Sequence, residues 1–416
     1  MKYLINISGD IPHAGITNIN IPLNGRNLII TGKNSSGKTS FLTKLHETLN
    51  TNLDSLSDKR QEYTNNIGYW KQEIIRLGES NPESQNYKNL VKEYENKLNL
   101  LQSGFNIQTL SFEKLKDNYK KYKAIFRKFD AMREIHIEES MQTTSSNSEI
   151  ERAQQSFRQN LGNRLEQHLV NVKTSEAFAK GIENDDAKGK KFENWFNEFE
   201  VSLKKLFENE KTKLIFRNED RKFQIYNGKN YTNFQTLSSG YKAIFDIFAD
   251  LLLRTEFFDI TPSELEGIVL IDEIDAHLHI SLQRLILPFF TESFPNIQFI
   301  VSTHSPFVIT STNNDTVVYD ISSGEFFEDD LSQYSYESIV KGLFHVNPIS
   351  IETKSSIKQL KNLLNQELIN YQAIRTIIEK LKPLEKNDVL DKKVRNLYLQ
   401  AINLLADNQE LGDLDV

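Results

Sequence analysis

Leu28-Ile29-Ile30-Thr31 is a short apolar run of the kind that fills a strand buried on both faces. It stops at a glycine-rich turn, after which a helical pattern covers about 38–49. Segments at 2–7 and 16–22 alternate as half-buried strands do. From about residue 56 the period changes. Tyr63, Ile67, Trp70, Ile74 and Leu77 fall four and three apart, and Tyr87, Val91, Tyr94, Leu98 and Leu101 repeat the spacing. Gly78-Glu79-Ser80-Asn81-Pro82 supplies breakers between the two stripes. The pattern predicts two arms folding back as an antiparallel coiled-coil hairpin, each about 30 Å long at roughly 1.5 Å per residue. Amphipathic helices laid on the body would carry similar stripes, but the alternation persists through both arms and favours the hairpin.

Beyond the arms, 124–133 reads as a strand returning to the sheet and 141–148 as a polar loop. Helical patterns follow over 150–208, broken by a charged turn at 184–189, with the aromatics of 192–207 read as core. Strands are expected at 213–216, 222–226, 268–271, 298–302 and 317–320. Helices are expected from the run at 237–242 to about Leu253, over 281–290, and from Pro348 onward. This alternation indicates an α/β sheet covered on both faces. The expected division is 1–54, an N-terminal lobe; 55–105, the hairpin insertion; 106–210, the returning strand and a helical lobe; 211–346, a C-terminal lobe; and 347–416, a helical region. There is no internal repeat.

Composition narrows the classes. The 416 residues are 38% hydrophobic and 26% charged, and no apolar run approaches the roughly 20 residues that span a bilayer. The start reads as a strand rather than a signal peptide, so a cytoplasmic protein with no membrane partner is expected. Zero cysteines exclude disulfides, thiolate zinc sites and cysteine nucleophiles. A net charge of −7 argues against a surface that is basic throughout. The stretch 114–133 is dense in Lys and Arg. A local nucleic-acid patch and a solvated helix face both fit it, the second being the ordinary meaning of such a run.

The candidate chemistry lies in three places. In Gly32-Lys33-Asn34-Ser35-Ser36-Gly37-Lys38-Thr39, glycines let backbone amides turn inward around phosphate oxygens. Lys38 reaches the β and γ phosphates, Thr39 places its hydroxyl on Mg²⁺, Asn34 and Ser36 shape the loop, and Ser40 completes the ATP-binding set. Ile268-Val269-Leu270-Ile271-Asp272-Glu273 ends a hydrophobic strand in two carboxylates that point to opposite sides. Asp272 is therefore expected to hold the Mg²⁺ shell and Glu273 to orient the attacking water. His304, in Ser302-Thr303-His304-Ser305-Pro306, follows another buried strand and is placed to donate to the γ-phosphate. His277 and His279 suggest a metal pair, yet no third ligand is near, and contact at a subunit interface is the preferred reading.

The order of the phosphate loop, LSSGYK at 237–242, LIDE at 270–273, DAHLH at 275–279 and STHSP at 302–306 resembles ABC-type AAA ATPases of the RecF and SMC branch. The resemblance is strong over about 1–50 and 210–320. It implies an α/β ATPase head with an inserted antiparallel coiled-coil hairpin and a helical C-terminal region. It also implies that Ser238 and Gly240 of one subunit close over the γ-phosphate held by Lys38 of another, so that ATP joins a dimer and larger homo-oligomers are built from ATP-sandwich dimers. Within the branch, the short hairpin, FDAMR at 129–133, LSSGYK and DEIDAHLH are most similar to the ATPase subunits of anti-phage systems such as Septu, PARIS and retron-associated operons. That implies a separate nuclease or toxin subunit as effector and a nucleic acid or phage protein as trigger. The roughly 70 residues after Pro348, with Asp413 and Asp415 in the tail, leave no room for the TOPRIM nuclease domain of some relatives, so no nuclease activity of the chain's own is expected. Two departures stand out: Ser239 replaces the glycine of transporters, and no Q-loop glutamine follows the first helix, since Gln72 falls in an arm and Gln108 beyond the hairpin. A DNA-repair or chromosome-maintenance ATPase is the alternative, weakened by short arms without zinc-hook cysteines. A transporter subunit is disfavoured because the hairpin stands where a membrane partner docks.

Overall fold

The computed structural model describes residues 2–53, 56–78, 81–102, 104–133, 136–140, 143–344, 351–366, 368–386, 390 and 392–411. Among the described residues, twelve strands form three sheets. They are β1 (Leu4–Ile11), β2 (Ile16–Pro22), β3 (Asn27–Thr31), β4 (Asn106–Thr109), β5 (Ala124–Phe129), β6 (Lys213–Arg217), β7 (Lys222–Tyr226), β8 (Tyr231–Asn233), β9 (Glu266–Ile271), β10 (Ile297–Ser302), β11 (Thr316–Asp320) and β12 (Glu325–Phe327). The central sheet runs β12-β11-β3-β10-β9-β5, parallel except for the antiparallel edge strand β12. Two antiparallel sheets, β2-β1-β4 and β6-β7-β8, flank it.

The apolar runs explain the placement of the central strands, because every residue of β3, β10 and β11 is buried. On one face, Leu28, Ile30, Leu270 and Ile300 pack with Phe41, Leu42, Leu45 and Leu49 of the helix Lys38–Leu53. On the other, Phe290 of the helix Ile280–Ser293 stacks on Phe299 of β10 at 5.9 Å. Phe289 in turn meets Phe248 of the helix Ser239–Phe257 at 5.1 Å. Alternate side chains of β10 thus serve opposite layers, and the sheet is covered on both faces.

The helices Leu56–Leu77 and Pro82–Gln102 lie against each other. Tyr63 meets Tyr94 at 5.8 Å, Trp70 stacks on Tyr87 at 5.1 Å, and Lys71 bridges Glu95 at 2.8 Å. The two aromatic pairs close in toward the turn, which requires antiparallel helices. Among the stripe residues, Val91 is buried and Tyr63, Trp70, Tyr87 and Tyr94 are half-buried.

Several expected elements differ. The strand expected over 124–133 stops at Phe129, and the chain bends at 131–132. The loop expected over 141–148 gives way to a helix from Ser146, because the Ser145 hydroxyl accepts from the Ser148 amide at 3.2 Å; residues 141 and 142 lie outside the described set. Most of the charged turn at 184–189 is helical, since Asp185 caps the helix Asp186–Leu206 through the Lys188 amide at 3.0 Å. Strands β4, β8 and β12 and the helix Phe112–Lys120 were not foreseen. The basic run 114–133 is neither one patch nor one solvated helix face. It is divided between that helix and β5, and Arg127 turns inward to Asp250 at 3.4 Å.

Contacts divide the chain at 339/340. The C-terminal unit, taken by itself, holds the helices Ile351–Leu364, Tyr371–Lys386 and Lys392–Asp407 around Leu360, Ile374, Ile378, Leu381, Ala401 and Leu405. The expected boundary at 346/347, together with Asp413 and Asp415, lies outside the described residues.

Candidate functional site

β3 ends at Thr31 and the helix Lys38–Leu53 begins seven residues later, so the loop between them must reverse within one turn's length. Gly32 and Gly37 achieve this with φ of +137° and +94°, and Ser35 joins them at +60°. Space as well as φ requires the glycines. A Cβ on Gly32 would stand 2.5 Å from Ser322 Oγ, and one on Gly37 2.6 Å from the Ile16 side chain. The loop is therefore seated between the turn after β11 and the start of β2. The Lys33 amide donates to Ser322 Oγ at 2.7 Å, and Ser322 donates its own amide to Asp320 at 2.7 Å.

Lys38 is buried, and its Nζ donates to the carbonyls of Gly32 at 3.2 Å and Lys33 at 3.0 Å. Burial lowers its pKa, while Glu273, Asp272, Asp275 and Asp320 pull it back up. The carboxylate field thus keeps a cation where burial alone disfavours one. Ser36 Oγ, in the same loop, is buried without a hydrogen-bond partner. A loop lined with amides and holding a charged amine and a spare hydroxyl suits a polyphosphate.

The carboxylate pair is built at the end of β9. Asp272 is buried, its amide donates to Phe129 at the end of β5, and its side chain accepts from Ser302 of β10. Glu273 is exposed and has φ of +46°, left-handed for a residue with a side chain. Ser302 also accepts from the Glu273 amide at 2.7 Å, so one hydroxyl ties both residues to the neighbouring strand. The residues on either side of His304 are held by a relay. Asp275 accepts from the Thr303 hydroxyl, Thr303 accepts from the Ser305 amide at 2.9 Å, and the Ser305 hydroxyl donates to Gln283 at 2.6 Å. Burial and then Lys38 lower the His304 pKa, which leaves a neutral imidazole at neutral pH.

These elements meet at one cavity of about 520 Å³, lined by Asn34, Ser35, Ser36, Gly37, Lys38, Thr39 and Ser40 on one side and by Glu273, Asp275, Ala276 and His304 on the other. Of the expected residues, Asp272 and Gly32 stand behind its wall, and Ser238 and Gly240 do not line it. Ser238 is exposed at the start of the helix Ser239–Phe257 and makes no capping bond. Gly240 is buried against the turn after the carboxylates, where a Cβ would come 2.8 Å from the His277 carbonyl. His279 caps the helix Ile280–Ser293 by accepting from the Ser281 amide, and among the described residues no group of three or more metal-ligating side chains gathers around it. His13 and Ala14, on the turn between β1 and β2, also line the cavity. They went unforeseen because nothing local marks them; only the packing of Gly37 on Ile16 and Ala14 brings that turn over the loop.

The family model "AAA domain, putative AbiEii toxin, Type IV TA system" matches residues 28–310. A "Retron Ec83 probable ATPase" of Escherichia coli is 44% identical over 84 residues, 20% of this chain and 16% of that protein. A "Septu protein PtuA" of Bacillus mycoides (strain KBAB4) is 33% identical over 144 residues, 33% of this chain and 18% of that protein. The matches thus span less than a fifth of these relatives' own length. Among solved structures, an SMC head bound to the C-terminal winged-helix domain of ScpA aligns with a TM-score of 0.35 at 14% identity, over 78% of this chain and 97% of that one. The SMC head domain from Thermotoga maritima aligns with a TM-score of 0.31 at 12% identity, over 76% and 92%.

Proposed function

The chain belongs to this AAA-domain family, and from that premise we propose that it is an ABC-type ATPase that binds and hydrolyses ATP between two copies of itself. One observation carries the reading: the phosphate loop, Glu273 and His304 share a cavity, while Ser238 stands outside it, exposed, at a helix N-terminus. A helix N-terminus with a free hydroxyl suits a phosphate oxygen, and here it is offered to a neighbouring molecule. In each half-site, amides of 34–39 and Lys38 receive the triphosphate, Glu273 orients and polarises the attacking water, and His304 faces the γ-phosphate as a hydrogen-bond partner. Thr39, on the cavity wall, and Asp272, behind it, are the oxygen donors suited to Mg²⁺. When bound, Mg²⁺ neutralises charge on the phosphate oxygens.

The wider role follows the relatives' names. Septu and retron ATPases point to a subunit of a multi-component anti-phage complex, so the chain is read as the sensor and scaffold that controls a separate nuclease or toxin subunit. The paired helices Leu56–Leu77 and Pro82–Gln102, with their aromatic seam, are read as an inserted coiled-coil hairpin that reaches toward the partner or trigger. No helix of the described residues is long and apolar enough to cross a membrane. As a subunit of such a complex, the chain is proposed to act in the cytoplasm.

Glu273→Gln tests the reading. The variant keeps nucleotide binding, loses at least about 10²-fold in turnover, the scale for removing a catalytic acid–base group, and accumulates as an ATP-bound dimer by size-exclusion chromatography with light scattering. A variant that stays monomeric with saturating ATP and Mg²⁺ refutes the shared site.

A further inference from the structure

Arg133 has no part in the reading above, yet its guanidinium touches the backbone of both carboxylate residues. Nη1 donates to the Asp272 carbonyl at 2.9 Å and to the Asp130 carbonyl at 3.2 Å, and Nη2 donates to the Glu273 carbonyl at 3.1 Å. These are consecutive carbonyls of a turn that Glu273 enters with φ of +46°. A non-glycine residue in that region costs on the order of 1 kcal/mol and persists only where its surroundings fix it. The amide side of the turn is fixed by β10, through Ser302 Oγ to the Glu273 amide and the Ser302 carbonyl to the Ile274 amide at 3.0 Å. On the carbonyl side the Ala276 amide donates to the Glu273 carbonyl at 2.9 Å, and Arg133 adds the bond that ties this carbonyl to that of Asp272.

The exposed Glu273 side chain lines the cavity, so the direction of its carboxylate is set by the peptides on either side of it. We propose that Arg133 is a positioning residue for ATP hydrolysis: by gripping the Asp272 and Glu273 carbonyls together it holds the left-handed turn that aims Glu273 at the attacking water. The inference rests on the reading of Glu273 given above. An arginine suits the task because its planar fork addresses two carbonyls at once, whereas a lysine ammonium is a single point donor on a flexible stem. Burial lowers the Arg133 pKa, and the charge of Asp246, on the helix Ser239–Phe257, acts against that shift.

Arg133→Ala and Arg133→Lys, measured beside Glu273→Gln, test the proposal through steady-state ATP hydrolysis and equilibrium binding of a fluorescent ATP analogue. The expected result is a split. The kcat of Arg133→Ala falls by about 10²-fold, the scale for a misaimed catalytic group, with nucleotide Kd within about threefold of the parent. Arg133→Lys recovers part of kcat, since one carbonyl is still held. A purely structural role predicts instead a lowered melting temperature with parallel loss of binding and turnover in the alanine variant and full recovery in the lysine variant, and that result overturns the proposal. If Glu273→Gln is inactive while both Arg133 variants turn over like the parent, the inference fails and the reading of Glu273 stands. If Glu273→Gln keeps parental turnover, both fall.

Discussion

Lys38→Met separates the folding of the phosphate loop from its function. In the ligand-free chain Lys38 holds two carbonyls, at 3.0 and 3.2 Å, and sits in a buried position that lowers its pKa. Those two bonds contribute on the order of 1–3 kcal/mol each when the donor is charged, and desolvation of the ammonium works against them. Methionine keeps most of the buried methylene stem, with each CH₂ worth about 0.8 kcal/mol. Near-cancellation follows, and the melting temperature of the ligand-free variant is expected to stay close to the parent's or rise. Nucleotide binding is where the loss falls. Removing a charge-assisted contact to phosphate costs about 3 kcal/mol, or about 150-fold in Kd. At ATP–Mg²⁺ equal to 100 times the parental Kd, ligand stabilises the parent by about 2.7 kcal/mol and the variant by only about 0.3 kcal/mol. Differential scanning fluorimetry with and without ATP–Mg²⁺ reads both quantities in one experiment. An equal ligand-induced shift in the two proteins would show that Lys38 does not meet the phosphates. A collapse of the ligand-free melting temperature would show that the lysine is structural.

Two further outcomes concern the frame around the site. Arg254→Met removes a fully buried cation that pairs with Asp250 at 3.0 Å and donates to the Phe157 and Gln159 carbonyls at 2.8 Å each, so a loss of about 3–5 kcal/mol in urea unfolding is expected; a loss below 1 kcal/mol would mean that Arg127 and the Leu161 amide suffice for Asp250. His168 lies edge-on to Trp195 and Phe257, and burial lowers its pKa from 6.5 to about 4. The unfolded chain therefore takes up this proton before the folded one, and its contribution is intact above about pH 6.5 and lost as pH falls toward 4, amounting to about 2 kcal/mol by pH 5. In His168→Phe that part of the acid sensitivity disappears, and identical pH slopes for variant and parent would contradict the assignment.

What the sequence revealed and what it hid follow from how local each determinant is. The phosphate loop was legible because a buried strand, glycines at positive φ and a helix start lie within a dozen residues, and each demands its residue type in place. The end of β9 was legible for the same reason: an apolar strand terminating in two carboxylates leaves one buried and one exposed. The edge strand β4 was not, since its four residues, Asn106–Thr109, are half-buried or exposed and pair with β1 about a hundred residues earlier. Strand β12 is three residues long and exists only as a partner to β11. Arg133 was visible within FDAMR but not its task, because the carbonyls it grips are about 140 residues away. The basic density of 114–133 misled by composition: its cations serve different elements, and Arg127 faces the buried Asp250. Local rules read glycine turns and buried strands, while partners across the sheet are chosen only when the chain closes.

The seating of Gly240 extends the proposed mechanism by one step. In a single copy the Ser238 hydroxyl is exposed, while two residues later the helix backbone packs against the His277 carbonyl with no space for a Cβ. The turn that carries His277 also carries Asp275 and Ala276, which line the copy's own cavity, and Asp275 holds Thr303 beside His304. On the proposed reading, Ser238 closes on the nucleotide of a second copy. The force of that closure then passes through Gly240 into the turn beside the first copy's own cavity, with no flexible side chain between. On that reading, closure over one nucleotide would be felt at the other half-site through the close backbone approach that glycine permits at position 240.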